Sequence, residues 1–257
     1  MSINIETNLN QKVALITGAA QRLGAMTARF LHAAGANIII HYRHSENPAQ
    51  QLCDELNQLR ENSAQIIQAD LLAVQELAQL IKDSHSFWSR LDILVNNASS
   101  FYPTPIGQVD LEVWDDLMGS NLKAPFFLSQ AASNYLKENM GCIVNIVDIH
   151  ATRPMAEHSV YNMAKAGLAM QVKTMARELG PEIRVNGIAP GAILWPVEAD
   201  DNKPMNEQLK KNIIDSTYLK RQGTAEDIAR TALFLVKDAP YITGQIIAVD
   251  GGRSLSI

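Results

Sequence analysis

The chain has only two cysteines in 257 residues, no apolar run of bilayer-spanning length and no surplus of basic charge. Each shortage excludes a class of protein. Cys53 and Cys142 stand far apart without the paired spacing of a ligand set, so no metal site is expected and both read as reduced thiols. A membrane helix needs about 20 consecutive apolar residues, and no segment comes near that. Residues 1–11 are polar and lack the apolar core of a signal peptide, so a cytoplasmic protein with a flexible segment over 1–10 is expected. With 22 Lys and Arg against 27 Asp and Glu, the net charge of −5 offers nucleic-acid phosphates no basic footprint.

What is plentiful is apolar: 47% of the residues, enough for one large α/β domain spanning 1–257. Short β-branched runs recur at 13–17, 37–41, 65–69, 93–96, 143–147, 183–188 and 246–249. Between them lie stretches with helical spacing, among them 22–34, 49–61, 73–87 and 162–179. Strands alternating with helices predict right-handed βαβ units and a doubly wound, seven-stranded parallel sheet with helices on both faces. No internal repeat, low-complexity tract or linker interrupts the pattern. One irregular stretch, 190–205, holds three prolines and three acidic residues. A loop of that length in a compact domain is usually functional, and a substrate lid is expected over 190–216.

The first strand runs into Thr17-Gly18-Ala19-Ala20-Gln21-Arg22-Leu23-Gly24. Such glycines either cap a helix or let a pyrophosphate approach a helix N-terminus; the position after the first strand favours the second. Arg22 stands where another glycine is usual, as a solvated side chain or as a contact to phosphate or substrate. An acidic residue is missing where the second strand ends, so nothing there would bond the ribose hydroxyls of NAD. His41, Tyr42, Arg43, His44 and Ser45 occupy that turn instead. Arg43, His44 and Ser45 suit a 2′-phosphate, which favours NADPH, although a solvated basic turn has the same composition. Asp70, ending the third strand and followed by Leu71, either accepts from an adenine amino group or caps a helix. After the fourth strand come Asn96-Asn97-Ala98-Ser99-Ser100-Phe101, small and amide side chains that would not block a ribose. Phe101 sits in a polar turn, where a flat ring could stack on a flat heterocycle rather than fill a core.

Tyr161 and Lys165 are one helical turn apart, and Asp148 precedes the tyrosine by thirteen residues. A lone Tyr-x-x-x-Lys is common on helix faces. Here it follows the fifth strand in order with Gly18…Gly24, Asn96-Asn97-Ala98, Asn121, Pro190-Gly191 and Asp250-Gly251-Gly252. With that ordered set the chain resembles the short-chain dehydrogenase/reductases over nearly its whole length. Within that family it is similar to the pteridine reductases, through Arg22, the 41–45 turn, the 97–105 stretch and Asp148 in place of a serine.

The resemblance implies a Rossmann fold and an NADPH-dependent oxidoreductase acting on CH–NH groups. It implies a cofactor held by Gly18, Arg22, Leu23, Gly24, the 41–45 turn, Asp70, Leu71, Asn97, Ala98, Ser99, Tyr161, Lys165, Pro190 and Gly191. A pterin would lie between nicotinamide and Phe101, held also by Arg22 and Ser99. Asp148, Tyr161 and Lys165 would carry the chemistry, with Lys165 lowering the Tyr161 pKa and Asn121 ordering water near the lysine. Trp195 would contact substrate or cover the pocket. Met163 and Met170 would pack in the core or at a subunit interface, and a homotetramer is implied. Physically, a carboxylate at 148 opposes the alkoxide of a reduced ketone and favours a ring nitrogen gaining a proton. Reduction of dihydrobiopterin, dihydromonapterin or dihydrofolate is therefore expected. A 3-oxoacyl thioester reductase and a non-catalytic NADP(H)-sensing module are the competing readings.

Overall fold

The computed structural model describes residues 8–193 and 206–256. Seven strands form one parallel sheet: β1 (Val13–Ile16), β2 (Asn37–Tyr42), β3 (Ala64–Gln68), β4 (Ile93–Asn96), β5 (Cys142–Ile146), β6 (Arg184–Pro190) and β7 (Ile246–Val249). Their order is β3-β2-β1-β4-β5-β6-β7. The chain winds outward from β1 to β3, then returns to lay β4 against the other side of β1. That reversal opens a crevice beyond the carboxyl ends of β1 and β4, where doubly wound sheets bind ligands.

Alternation along the strands builds two cores. In β1, Ala14 and Ile16 face one side with Ile38 and Ile40, against Leu31 of α1 (Arg22–Ala33) and Leu56 of α2 (Glu46–Leu59). Val13 and Leu15 face the other with Leu94 and Ile143, against Ile81 of α3 (Leu77–Ser86). Beyond them on that side lie α4 (Leu111–Met118) and Leu128 of α5 (Ala124–Glu138), which a π-helical segment at Gly119–Lys123 joins. Each fully buried leucine or isoleucine contributes roughly 1.5–3 kcal/mol. The helix α6 (Ser159–Leu179) packs against β6. The chain then adds α7 (Glu207–Asp215) and α8 (Ala225–Lys237), and α8 lies against α1. A capping box at Thr224 and Asp227 starts α8.

Within the segment expected to be flexible, Leu9 is buried in the core and its N–H donates to the Ala34 carbonyl at 2.8 Å, while residues 1–7 lie outside the described residues. Met163 and Met170 are exposed on α6, which removes the core-packing reading. The stretch expected as a lid contains the helix α7, while residues 194–205, Trp195 among them, lie outside the described residues. No described helix is long and apolar enough to cross a membrane.

Candidate active site

At the switch point the first glycine turn is sewn to the end of β4. Asn97 Nδ2 donates to the carbonyls of Thr17 at 2.8 Å and Gly18 at 3.0 Å, and Thr17 Oγ1 accepts from the N–H groups of Asn97 and Ala98. Gly24 packs so tightly that a Cβ there would lie 2.6 Å from the Gly18 carbonyl and 2.7 Å from Asn97 Nδ2. Gly18 adopts φ +59, open to glycine at little cost. Arg22 adopts φ +55, a conformation that strains a side-chain-bearing residue at the position where a glycine is usual.

His41 turns out to brace this turn from behind. Its Nδ1 accepts from the Gly18 N–H at 3.0 Å, and its Nε2 faces the Ala69 carbonyl at 3.2 Å. Burial pushes its pKa down to about 4, so the ring is neutral at pH 7 and Nδ1 keeps the lone pair that the turn needs. His41 is therefore a support of the cofactor cradle as well as part of its wall. Arg43 pairs with Asp70 at 2.8 Å across the mouth, both side chains partly exposed. Asp70 Oδ1 also accepts from the Leu72 N–H, which tightens the turn after β3.

These segments enclose a cavity of about 420 Å³ that gathers Gly18, Arg22, Leu23 and Gly24, the 41–45 turn, Asp70 and Leu71, and Asn97 to Ser99. A glycine cradle with no room for a Cβ, opening onto Arg22 and Arg43, fits the phosphates of a nicotinamide dinucleotide.

A second cavity, about 490 Å³, shares Arg22, Leu23, Asn97 and Ser99 with the first. Phe101 from the loop after β4, Asp148 after β5, Tyr161 and Lys165 of α6, and Pro190 and Gly191 at the end of β6 also line it. Tyr161 and Lys165 are both nearly inaccessible, at 4% and 2% exposure. The Tyr161 hydroxyl donates to Asp148 Oδ2 at 2.8 Å, while Asp148 Oδ1 accepts from the His150 N–H at 2.8 Å. Lys165 Nζ donates to the Ile146 carbonyl at 2.9 Å and stands 5.6 Å from the centre of the Tyr161 ring.

The electrostatics depart from expectation. Burial, then the charge of Asp148 beside it, holds the Tyr161 phenol well above its usual pKa. Burial lowers Lys165 to about 8, with Asp148 pulling it partly back. The ammonium is bonded to a main-chain carbonyl rather than to the phenol, so a lysine-lowered tyrosine is not what this arrangement presents. Asn121 is fully buried; it accepts from Ser99 Oγ at 2.6 Å and donates to the Ser100 and Leu117 carbonyls. Its amide thereby orients Ser99 and the start of the Phe101 loop.

His150, Met155, Ile213 and Arg253 also line the second cavity, and the sequence reading missed them. His150 lies two residues beyond Asp148 and was accessible to inspection; the other three sit in elements without a motif. Among the described residues, no group of three or more His, Cys, Asp or Glu is placed to hold a metal ion.

A crevice at a strand-order reversal, joined to a cavity holding a buried Tyr–Lys pair, defines a dinucleotide-dependent oxidoreductase. The comparisons agree. A family model described as enoyl-(acyl carrier protein) reductase matches residues 18–254. Pteridine reductase 1 of Leishmania tarentolae is 37% identical over 97% of this chain and 99% of its own length. A 3-oxoacyl-[acyl-carrier-protein] reductase of Synechocystis sp. is 36% identical over 96% and 98%. A short chain dehydrogenase of Emericella nidulans is 31% identical over 96% of each. The chain belongs to the short-chain dehydrogenase/reductase family, whose members use NAD(P)H.

Proposed function

We propose that the protein is an NADPH-dependent pteridine reductase that reduces the C=N bond of dihydropterins to the tetrahydro level. The observation that carries this reading is the carboxylate of Asp148 hydrogen-bonded to Tyr161 inside the substrate cavity. A carboxylate there repels the alkoxide that a ketone would become and attracts a ring nitrogen acquiring positive character. The resemblance to pteridine reductase 1 over nearly the full chain supports the same substrate class.

When bound, NADPH supplies the hydride. The raised pKa of Tyr161 keeps its proton in place at neutral pH, ready for the substrate nitrogen, and Asp148 orients that O–H. Lys165 would hold the nicotinamide ribose, and Ser99, fixed by Asn121, offers a hydroxyl beside Tyr161. Phe101 offers a flat apolar wall. Arg43, with Ser45 near it and no carboxylate at the end of β2, supports selection of NADPH over NADH. Exposed Phe126 on α5 and Met163 and Met170 on α6 support a homotetramer built through those helices.

The test is NADPH oxidation with dihydrobiopterin, dihydromonapterin, dihydrofolate and acetoacetyl thioester, with NADH in parallel. Pterin turnover with NADPH preference is expected. Turnover of the thioester alone would establish the second reading, a 3-oxoacyl thioester reductase, which the Synechocystis relative favours. Arg43→Ala is expected to raise the KM for NADPH about tenfold, the loss of one charge-assisted hydrogen bond, and to leave the KM for NADH unchanged. Equal effects on both cofactors would remove Arg43 from that role.

A further inference from the structure

We propose that His158 is a positioning residue that backs Phe101 and fixes the ring face presented to a planar heterocyclic substrate; this rests on the pterin reading above. The imidazole of His158 stacks on the Phe101 ring at 4.8 Å between centroids and 20° between planes. Tyr161 meets the same phenylalanine at 4.9 Å and 79°. Phe101 lines the substrate cavity, whereas His158 is not among the described residues that line it. His158 therefore acts through Phe101. With 41% of its surface exposed, the phenylalanine is not consumed by its two aromatic neighbours.

The imidazole is itself held. Its Nδ1 lies 2.8 Å from the Ala156 carbonyl, a partner that can only accept, so Nδ1 carries the proton and the ring plane is set. The backbone is clipped on the other side. Thr104, three residues after Phe101, bridges to His158, and its N–H donates to the Glu157 carbonyl. Ser159 Oγ reaches the Thr104 carbonyl at 3.3 Å, and the Val160 N–H reaches Thr104 Oγ1 at 3.4 Å. Thr104 is buried at 2% exposure. The loop carrying Phe101 is thus tied to the residues that lead into and begin α6, one to four positions before Tyr161. One clip sets both the aromatic wall and the proton donor.

Aromatic stacking is retained by phenylalanine at 158 but not by asparagine, which keeps an amide donor for the Ala156 carbonyl, nor by leucine, which keeps apolar bulk. His158→Asn and His158→Leu are expected to raise the KM for dihydrobiopterin about five- to tenfold, with kcat within about twofold and NADPH binding unchanged. His158→Phe should keep the wild-type KM. In a Phe101→Leu background the His158→Asn change should add nothing, because its route to the substrate has gone. A wild-type KM in both His158→Asn and His158→Leu overturns the assignment. So does a His158→Phe variant as impaired as they are, or an additive double variant. Any of these results with intact pterin turnover leaves the pterin reading standing. Wild-type turnover of acetoacetyl thioester and of no pterin overturns both, since no planar substrate would remain for Phe101 to hold.

Discussion

Asp148→Asn is expected to lower kcat for dihydropterin reduction by about 10²–10⁴, the range typical of a positioned proton-transfer group, while NADPH affinity changes less than about twofold. The substitution is nearly isosteric. Its amide oxygen can still accept from the His150 N–H, so the turn that Asp148 caps survives. What disappears is the negative charge facing Tyr161 and the substrate nitrogen. Tyr161 loses the acceptor that aligns its O–H at 2.8 Å, and the cavity loses the carboxylate that the proposed reaction needs to offset positive charge on an imine. Asp148 touches the second cavity and is absent from the wall of the first among the described residues, which is why cofactor titration should barely respond. Asp148→Ser should show the same split. Equal losses in turnover and in NADPH binding would mean that Asp148 supports the fold rather than the reaction.

Lys165→Met is expected to abolish turnover yet to melt higher than the wild-type apoprotein at pH 7. The ammonium is 2% exposed, and burial lowers its pKa from 10.5 to about 8. A shift of that size corresponds to roughly 3 kcal/mol by which the charged lysine destabilises the folded state. Methionine removes that penalty but leaves the Ile146 carbonyl without its donor, at about 1 kcal/mol. A net gain of about 2 kcal/mol would raise Tm by roughly 4–8 °C in a chain of this size. The pH dependence has a definite sign. Below about 8 both folded and unfolded lysines are charged, and the fold carries the whole penalty. Between about 8 and 10.5 the folded lysine sheds its proton first, the wild type gains on the variant, and the difference closes. Melts of both proteins at stepped pH check this; a variant less stable at pH 7, or a gap indifferent to pH, would contradict the burial argument.

Much of the architecture was legible before folding because it is written in short periods. The β1 segment alternates between two cores, and that alternation appears in a window of a few residues. Tyr161 and Lys165 lie one turn apart on a helix, so their proximity follows from helical geometry. Element ends were less legible. β2 extends to Tyr42 because Tyr42 pairs with Gln68 of β3, a partner that local pattern does not reveal.

The contacts that the sequence could not show are those between segments distant in the chain. His41 lines the cofactor cavity, and its ring also supports the glycine turn through Gly18 and Ala69. The Asn121 amide holds Ser99 and the Ser100 carbonyl in the loop after β4. Arg43 and Asp70 carried separate expectations and form one ion pair. Lys165 offered no sign in sequence that its ammonium would bond a carbonyl of β5 and be lowered to about 8, because desolvation depends on what surrounds a group rather than on what precedes it.

Periodicity and residue type were thus sufficient for the strand-and-helix alternation, the glycine turn and the Tyr161–Lys165 pair, since each is a property of contiguous or regularly spaced residues, while Asp148 joined that pair through the family resemblance. The shifted pKa values of Tyr161 and Lys165, the brace behind the glycine turn and the stacking of His158 on Phe101 needed the folded chain. Those depend on distances of a few ångströms between segments that only packing brings together.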